Sequence, residues 1–77
     1  EARVKLETTK EYPYGTGQRC DLLVSVDDNG AKINHFIEFK YYWVGSPNDF
    51  IGQVRYDIEK LGTLKSKGHV YFFLFLQ

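Results

Sequence analysis

Length and charge set narrow limits on this chain. Its 77 residues allow one small domain, and ten basic against ten acidic residues give a net charge of zero. No overall charge draws it to nucleic acid or to a membrane, so such a contact must come from a local patch. A single cysteine, Cys20, excludes an internal disulfide and a zinc site built from several cysteines. We expect a reducing, cytoplasmic location and, because the sequence starts at Glu1 without Met, a single domain over residues 1–77 truncated at its N-terminus.

Three strands are predicted in the first half of the chain. Residues 2–11 alternate apolar and polar side chains, which is typical of a half-buried strand. Residues 12–18 contain one Pro and two Gly and are predicted to form a loop. Two further strands, 20–27 and 32–42, flank the Asn-Gly dipeptide at 29–30, which is the strongest short signal for a β-hairpin.

A helix and a fourth strand are predicted to follow. Ser46 has the character of an N-cap, with Pro47 at the first position of a helix over 47–66, and residues 70–76 form the last strand. The apolar face of this helix is expected to contain Phe50, Val54, Ile58, Leu61 and Leu64. A strand, a helix and a second strand form a right-handed crossover between parallel strands. The predicted fold class is α/β, with a mixed four-stranded sheet made of an antiparallel hairpin and a βαβ crossover.

The last predicted strand also indicates how the sheet is covered. Its sequence, VYFFLFL, is apolar on both faces, and strands of that kind are covered on both sides of the sheet. One helix covers only one side. We therefore expect either a homo-oligomer or a missing helical segment to cover the other apolar sheet face.

The register of the hairpin brings three charged residues together. A two-residue loop at 29–30 pairs residues whose numbers sum to 59, which places Asp21 opposite Glu38. Lys40 lies two positions from Glu38 and therefore on the same face. Opposed carboxylates with Cβ atoms roughly 5 Å apart repel each other. A divalent metal ion between them is the obvious reason for such an arrangement.

These residues resemble the motif of the PD-(D/E)XK nuclease superfamily, which has the restriction-endonuclease-like fold. The resemblance covers about residues 3–76: Asp21, then the tripeptide Glu-Phe-Lys at 38–40 on the next strand, then a helix and a strand. Cys20 stands where the family name has Pro. The family core begins with a helix that has no counterpart here, so the resemblance implies a restriction-endonuclease-like core lacking its first helix.

The resemblance implies a metal-dependent nuclease that hydrolyses phosphodiester bonds, with DNA expected rather than RNA. Asp21 and Glu38 would bind Mg²⁺ or Mn²⁺ together with the backbone carbonyl of Phe39, and Lys40 would orient the attacking water or help to deprotonate it. Mg²⁺ is commonly held by one or two carboxylates plus phosphate. One alternative is a non-catalytic interaction or inhibitor module on the same fold. Another is a small structural α/β domain in which the three charges are incidental.

Three residues are candidates for auxiliary roles toward the substrate. Gln53 and Tyr56 resemble a Gln and a Tyr that RecB-like members of the superfamily carry on this helix, although two residues rather than three separate them here. Glu7, on the first strand, is a candidate further acidic ligand, with an ordinary surface glutamate as the favoured interpretation.

Cys20 and His35 are not expected to belong to the metal site. Cys20 is expected to share the apolar face of its strand with Leu22 and to be a small core residue. His35 precedes Glu38 by three residues, and an odd spacing on a strand places the two on opposite faces. This spacing argues against a shared metal site for them.

Overall fold

One sheet and one helix make up the described part of the chain, which a computed structural model gives for residues 4–15, 17–41 and 47–76. The elements are β1 (Val4–Gly15), β2 (Gln18–Asp28), β3 (Ala31–Tyr41), α1 (Pro47–Gly62) and β4 (His69–Phe75). The strands lie in the order β1-β2-β3-β4, the first three antiparallel and β4 parallel to β3. The predicted α/β fold with a mixed four-stranded sheet is confirmed.

The hairpin between β2 and β3 has the predicted register. All its recorded partners have residue numbers that sum to 59. Asn29 and Gly30 have positive φ angles of 54° and 90°, as a two-residue type I′ loop requires. The Gly30 N–H donates to Asp27 Oδ1 at 2.8 Å. The turn therefore fixes which residues of the two strands lie opposite each other.

β1 continues through most of the segment that the sequence predicts as a loop. Residues 12–15 pair with β2, and Gly17, with a φ of 68°, lies in the turn that follows. Pro13 has no N–H to donate, but β1 lies at the edge of the described sheet, where proline is tolerated. The predicted loop is therefore wrong over most of its length.

The alternation of side chains in β2 changes near Cys20. Cys20 packs in the same buried cluster as Leu23 and Phe36, although a separation of three places Cys20 and Leu23 on opposite faces of a regular strand. Glu11, in the part of β1 that faces this end of β2, has a left-handed φ of 50°. The prediction that Cys20 shares the face of Leu22 is therefore wrong, while its complete burial is as expected.

The helix ends earlier than predicted. Its last residue is Gly62 rather than residue 66, and a turn follows in which the Thr63 N–H donates to the Lys60 carbonyl at 3.1 Å. The Thr63 hydroxyl donates to the same oxygen at 2.7 Å. Glycine is a weak helix former, and a hydroxyl that bonds a backbone carbonyl competes with helix continuation. Ser46, the predicted N-cap, lies outside the described residues. At 16 residues, α1 is too short and too polar to cross a membrane.

The helix is also rotated relative to the prediction. Leu61 and Leu64 are buried in the cluster on the sheet, as expected, but Ile58 is 48% exposed. Asp57, one position earlier, is half-buried and forms an ion pair with Lys40 of β3. The rotation brings an acidic side chain of α1 to the sheet where the sequence pattern predicted an isoleucine.

The face of the sheet turned away from α1, here called the open face, is apolar and exposed. Phe39 of β3 stacks on Phe73 of β4 with ring centroids 5.8 Å apart, and Tyr41 stacks on Phe75 at 4.9 Å. All four rings are more than a third exposed. Cover for this face, by a second copy of the chain or by a missing helical segment, stays a prediction.

Candidate functional site

Asp21 and Glu38 meet at the end of the β2–β3 ladder. The last recorded pair of that ladder is Leu22 with Ile37, and the two acidic residues come next along their strands. The Phe39 N–H donates to Asp21 Oδ2 at 2.8 Å. The Asp21 side chain thus takes the place of a backbone acceptor and is hydrogen-bonded to β3.

The carboxyl groups of Asp21 and Glu38 lie close enough to interact directly, and Asp21 favours the protonated form of Glu38. The pKa of Glu38 is raised from 4.5 to about 8, chiefly by burial and further by hydrogen bonding to Asp21 and by the negative charges of Asp21 and Asp57. The Lys60 ammonium opposes these effects. At neutral pH, Glu38 is therefore largely protonated, and the pair holds one proton where a cation could sit.

The shared proton makes the stability of the fold depend on pH. The pKa of Glu38 is about 8 in the fold against an ordinary value of 4.5, so the folded chain retains a proton that the unfolded chain releases. This stabilisation is complete below about pH 4.5 and is lost as the pH rises through 8. In EDTA, we expect Glu38→Gln to raise the melting temperature by a few °C at pH 8.5 and by less at pH 5. Calorimetry across this range measures the difference.

The matched control for that measurement is Glu59→Gln, which makes the same chemical change on the exposed side of α1. Its melting temperature should differ from that of the wild type by a constant amount. A Glu38→Gln difference that is equally constant between pH 5 and 8.5 would show that the carboxyl pair shares no proton.

The helix contributes two charged residues beside this pair. Asp57 Oδ2 lies 2.9 Å from Lys40 Nζ, and Asp57 Oδ1 lies 3.9 Å from Lys60 Nζ. Lys60 Nζ also lies 4.6 Å from the centre of the Tyr56 ring, within cation–π range. Lys40 is on the predicted strand and face, but its ammonium is bound by a helix carboxylate that the sequence pattern did not single out.

Tyr14, at the end of β1, completes the cluster. Burial raises the pKa of its phenol, and the charges of Glu38, Cys20 and Asp57 raise it further. These effects place Tyr14 within electrostatic range of both the carboxyl pair and α1. Sequence analysis did not single out Tyr14, because the segment containing it was predicted to be a loop. An aromatic residue two positions after Tyr12 was the available signal for a continuing strand.

Of the auxiliary candidates, the structure brings one to the cluster. Tyr56 is 60% exposed but lies against Lys60 and within range of Tyr14. Gln53 is exposed one helical turn before Tyr56 and Asp57. Glu7 pairs with Ser25, four residues along β2 from Asp21, which corresponds to roughly 13 Å. Glu7 is therefore too far away to be a ligand.

Cys20 is a structural residue. Its thiol is fully buried and donates weakly to the carbonyl oxygens of Ile37 at 3.2 Å and Leu22 at 3.4 Å. Burial raises the pKa of the Cys20 thiol, and nearby Glu38 acts in the same direction. A buried thiol with a raised pKa is a poor nucleophile.

The donor set suits a hard cation with few protein ligands. Among the described residues, no group of three or more His, Cys, Asp or Glu side chains is arranged to hold a metal. Asp21 and Glu38 supply two carboxyl groups at this end of the sheet, and the carboxylate of Asp57 beside them is paired with Lys40. Mg²⁺ binds through one or two carboxylates and keeps several waters, so the carboxyl pair fits it if the ion displaces the shared proton.

Comparison with known proteins assigns no family. No protein-family model matches the chain, and neither a curated protein nor a solved structure matches it significantly.

Proposed function

We propose that the chain is a metal-dependent nuclease with a restriction-endonuclease-like core, hydrolysing phosphodiester bonds in DNA. The observation that carries this proposal is the Asp21–Glu38 carboxyl pair at the end of the β2–β3 ladder, in which Asp21 accepts from the Phe39 N–H and the pKa of Glu38 is raised to about 8. Two acidic groups held in contact are costly unless something binds them. The resemblance to the PD-(D/E)XK motif implies that the pair binds a divalent metal ion.

The residues of the pair are suited to holding Mg²⁺ or Mn²⁺. Asp21 is already fixed by the Phe39 N–H, so binding requires little rearrangement of its carboxylate. Glu38 becomes a full ligand when it releases its proton. A bound divalent ion would supply a water of lowered pKa and neutralise charge on the phosphate. Metal binding at pH 7 should therefore release about one proton per ion.

Lys40 and Lys60 bring two ammonium groups to a site that also contains the carboxyl groups of Asp21, Glu38 and Asp57. Both ammonium groups lie against Asp57, which holds them beside the carboxyl pair. A polyanion that approaches this end of the sheet would meet two cations and the phenol of Tyr14. We assign Lys40 the role of orienting the attacking water, as the resemblance implies, and Lys60 that of contacting phosphate.

The second candidate function is a non-catalytic interaction module on the same fold. The observation that favours it is the 2.9 Å ion pair between Lys40 and Asp57. A lysine bound to a helix carboxylate can serve to hold α1 on the sheet, with no part in chemistry. On this interpretation, the carboxyl pair keeps its proton and binds no ion.

The test is cleavage of supercoiled plasmid DNA at one fixed salt concentration. We expect nicking with Mg²⁺ or Mn²⁺ and none with EDTA. Calorimetric titration of Mn²⁺ in buffers of different ionisation enthalpy measures the released proton independently of the substrate. Absence of both cleavage and proton-linked Mn²⁺ binding would refute the nuclease. Binding and proton release without cleavage of DNA or RNA would support the metal centre but refute the nuclease activity, whereas absence of both would favour the non-catalytic module.

A further inference from the structure

The two histidines of the chain lie side by side, far from the acidic cluster. His35 of β3 and His69 of β4 are direct partners in the parallel ladder, so their side chains project from the same face of the sheet. Their rings stack at 5.4 Å between centroids, with 18° between the ring planes. Gly68 helps to bring the strands this close, because a Cβ there would collide with the carbonyl of Asn34. The fold therefore fixes two imidazoles in contact.

Tyr71 orients one of these rings. Its hydroxyl lies 2.9 Å from His35 Nδ1, and its ring lies 5.7 Å from the imidazole. When the Nδ1–H of His35 donates to the tyrosine oxygen, Nε2 carries the free lone pair that a metal ion requires. Histidines that bind metals characteristically have their second nitrogen held by a neighbour in this way.

The surroundings of the pair are apolar. His35 is on the open face, where it lines a shallow hollow of about 260 Å³ together with Val24, Ile37, Tyr71 and Phe73. None of these lining residues has a carboxylate. Mg²⁺ and Ca²⁺ require oxygen ligands, whereas imidazole suits borderline transition metals such as Zn²⁺, Cu²⁺ and Ni²⁺.

We propose that His35 and His69 form a binding site for a divalent transition-metal ion of the Zn²⁺ class. Zn–N bonds of about 2.0–2.1 Å would hold the two ligating nitrogens roughly 3.3 Å apart. Because the ion must lie in the plane of each ring, the stacked imidazoles, with centroids 5.4 Å apart, would turn about their Cβ–Cγ bonds to bind it. Water or a substrate would take the remaining coordination positions. This site is on the opposite face of the sheet from Asp21 and Glu38, and it does not depend on the proposed nuclease function.

The test is titration of Zn²⁺ into metal-free protein, followed by calorimetry and by NMR of the histidine rings. Because the chain has only two histidines, their ring signals report on this site alone. We expect both ring signals to shift with Zn²⁺ and neither with Mg²⁺, and we expect one Zn²⁺ per chain in Glu38→Gln, which lacks the carboxyl pair. His69→Gln should remove the binding. Tyr71→Phe should weaken it about tenfold, which is the loss expected when a neighbour that orients a ligand is removed.

The matched control is Glu38→Gln, which disables the carboxyl pair and leaves both histidines in place. In this variant, Zn²⁺ should shift the histidine ring signals as it does in the wild type. Unchanged Zn²⁺ affinity in a folded His69→Gln variant, or loss of the ring shifts in Glu38→Gln, would overturn the proposal. Since His69 is exposed at the start of β4, its substitution should leave the circular dichroism spectrum unchanged.

Discussion

Asp21→Asn should abolish DNA cleavage, by at least about a hundredfold, and should weaken Mn²⁺ binding about ten- to hundredfold. The substitution removes the negative charge that a cation needs and keeps an oxygen that can accept the Phe39 N–H, now received by Oδ2 at 2.8 Å. The fold should therefore survive. Plasmid nicking measures the rate, and calorimetric titration measures the affinity for Mn²⁺.

Asp21→Asn should also change the pKa of Glu38, which can be measured without a substrate. Asp21 raises the pKa of Glu38 through both a hydrogen bond and its charge. In Asp21→Asn, the pKa of Glu38 should fall toward its ordinary value, because the neighbouring charge is gone. Proton release on Mn²⁺ binding at pH 7 should fall with it. These changes follow from the pair itself, whatever the substrate.

The matched control for Asp21→Asn is Glu7→Gln. It removes one carboxylate from the adjacent strand, at a position roughly 13 Å along the sheet from the pair. Cleavage and Mn²⁺ affinity should match those of the wild type. Equal losses in Glu7→Gln and Asp21→Asn would mean that general negative charge on the sheet, rather than the pair, binds the ion.

The meeting of Asp21 and Glu38 was predictable because it rests on local rules. An Asn-Gly dipeptide favours a two-residue loop with two positive φ angles, and the loop length then fixes every cross-strand partner. A slip of one residue would have moved one of the two carboxylates to the other face of the sheet. The turn chemistry of Asn29 and Gly30 is therefore sufficient to predict that Asp21 and Glu38 meet.

The rest of the cluster depends on tertiary packing and was not predictable in the same way. The rotation of α1 is decided by burial of Leu61 and Leu64, and a stripe through Asp57 fits the helical period as well as one through Ile58. Periodicity alone cannot choose between adjacent positions. Tyr14 was missed because the Pro and Gly residues near it also occur at the edge of a sheet, where they permit a strand.

Lys40→Ala should reduce cleavage at least about a hundredfold while leaving Mn²⁺ affinity unchanged or higher, since it removes a positive charge from near the cation. Stability should change little. The Lys40–Asp57 pair is partly exposed, with side-chain exposures of 27% and 20%, and such pairs contribute about 0–1 kcal/mol. Lys60 also remains near Asp57 after the substitution. Nicking assays, Mn²⁺ titration and thermal melting measure the three quantities.

Asp57→Asn separates chemistry from structure at Lys40. If the lysine serves only to hold α1 on the sheet, removing either partner of the 2.9 Å ion pair should have the same effect. The double variant should then be no worse than either single one. If Lys40 acts on the attacking water, Asp57→Asn should keep most of the cleavage that Lys40→Ala loses, because the ammonium is still present and free to turn toward the carboxyl pair. Lys60→Ala serves as the control for loss of a cation beside the same carboxylate. Equal rates in wild type and Lys40→Ala would remove Lys40 from the mechanism and leave the ion pair as its whole role.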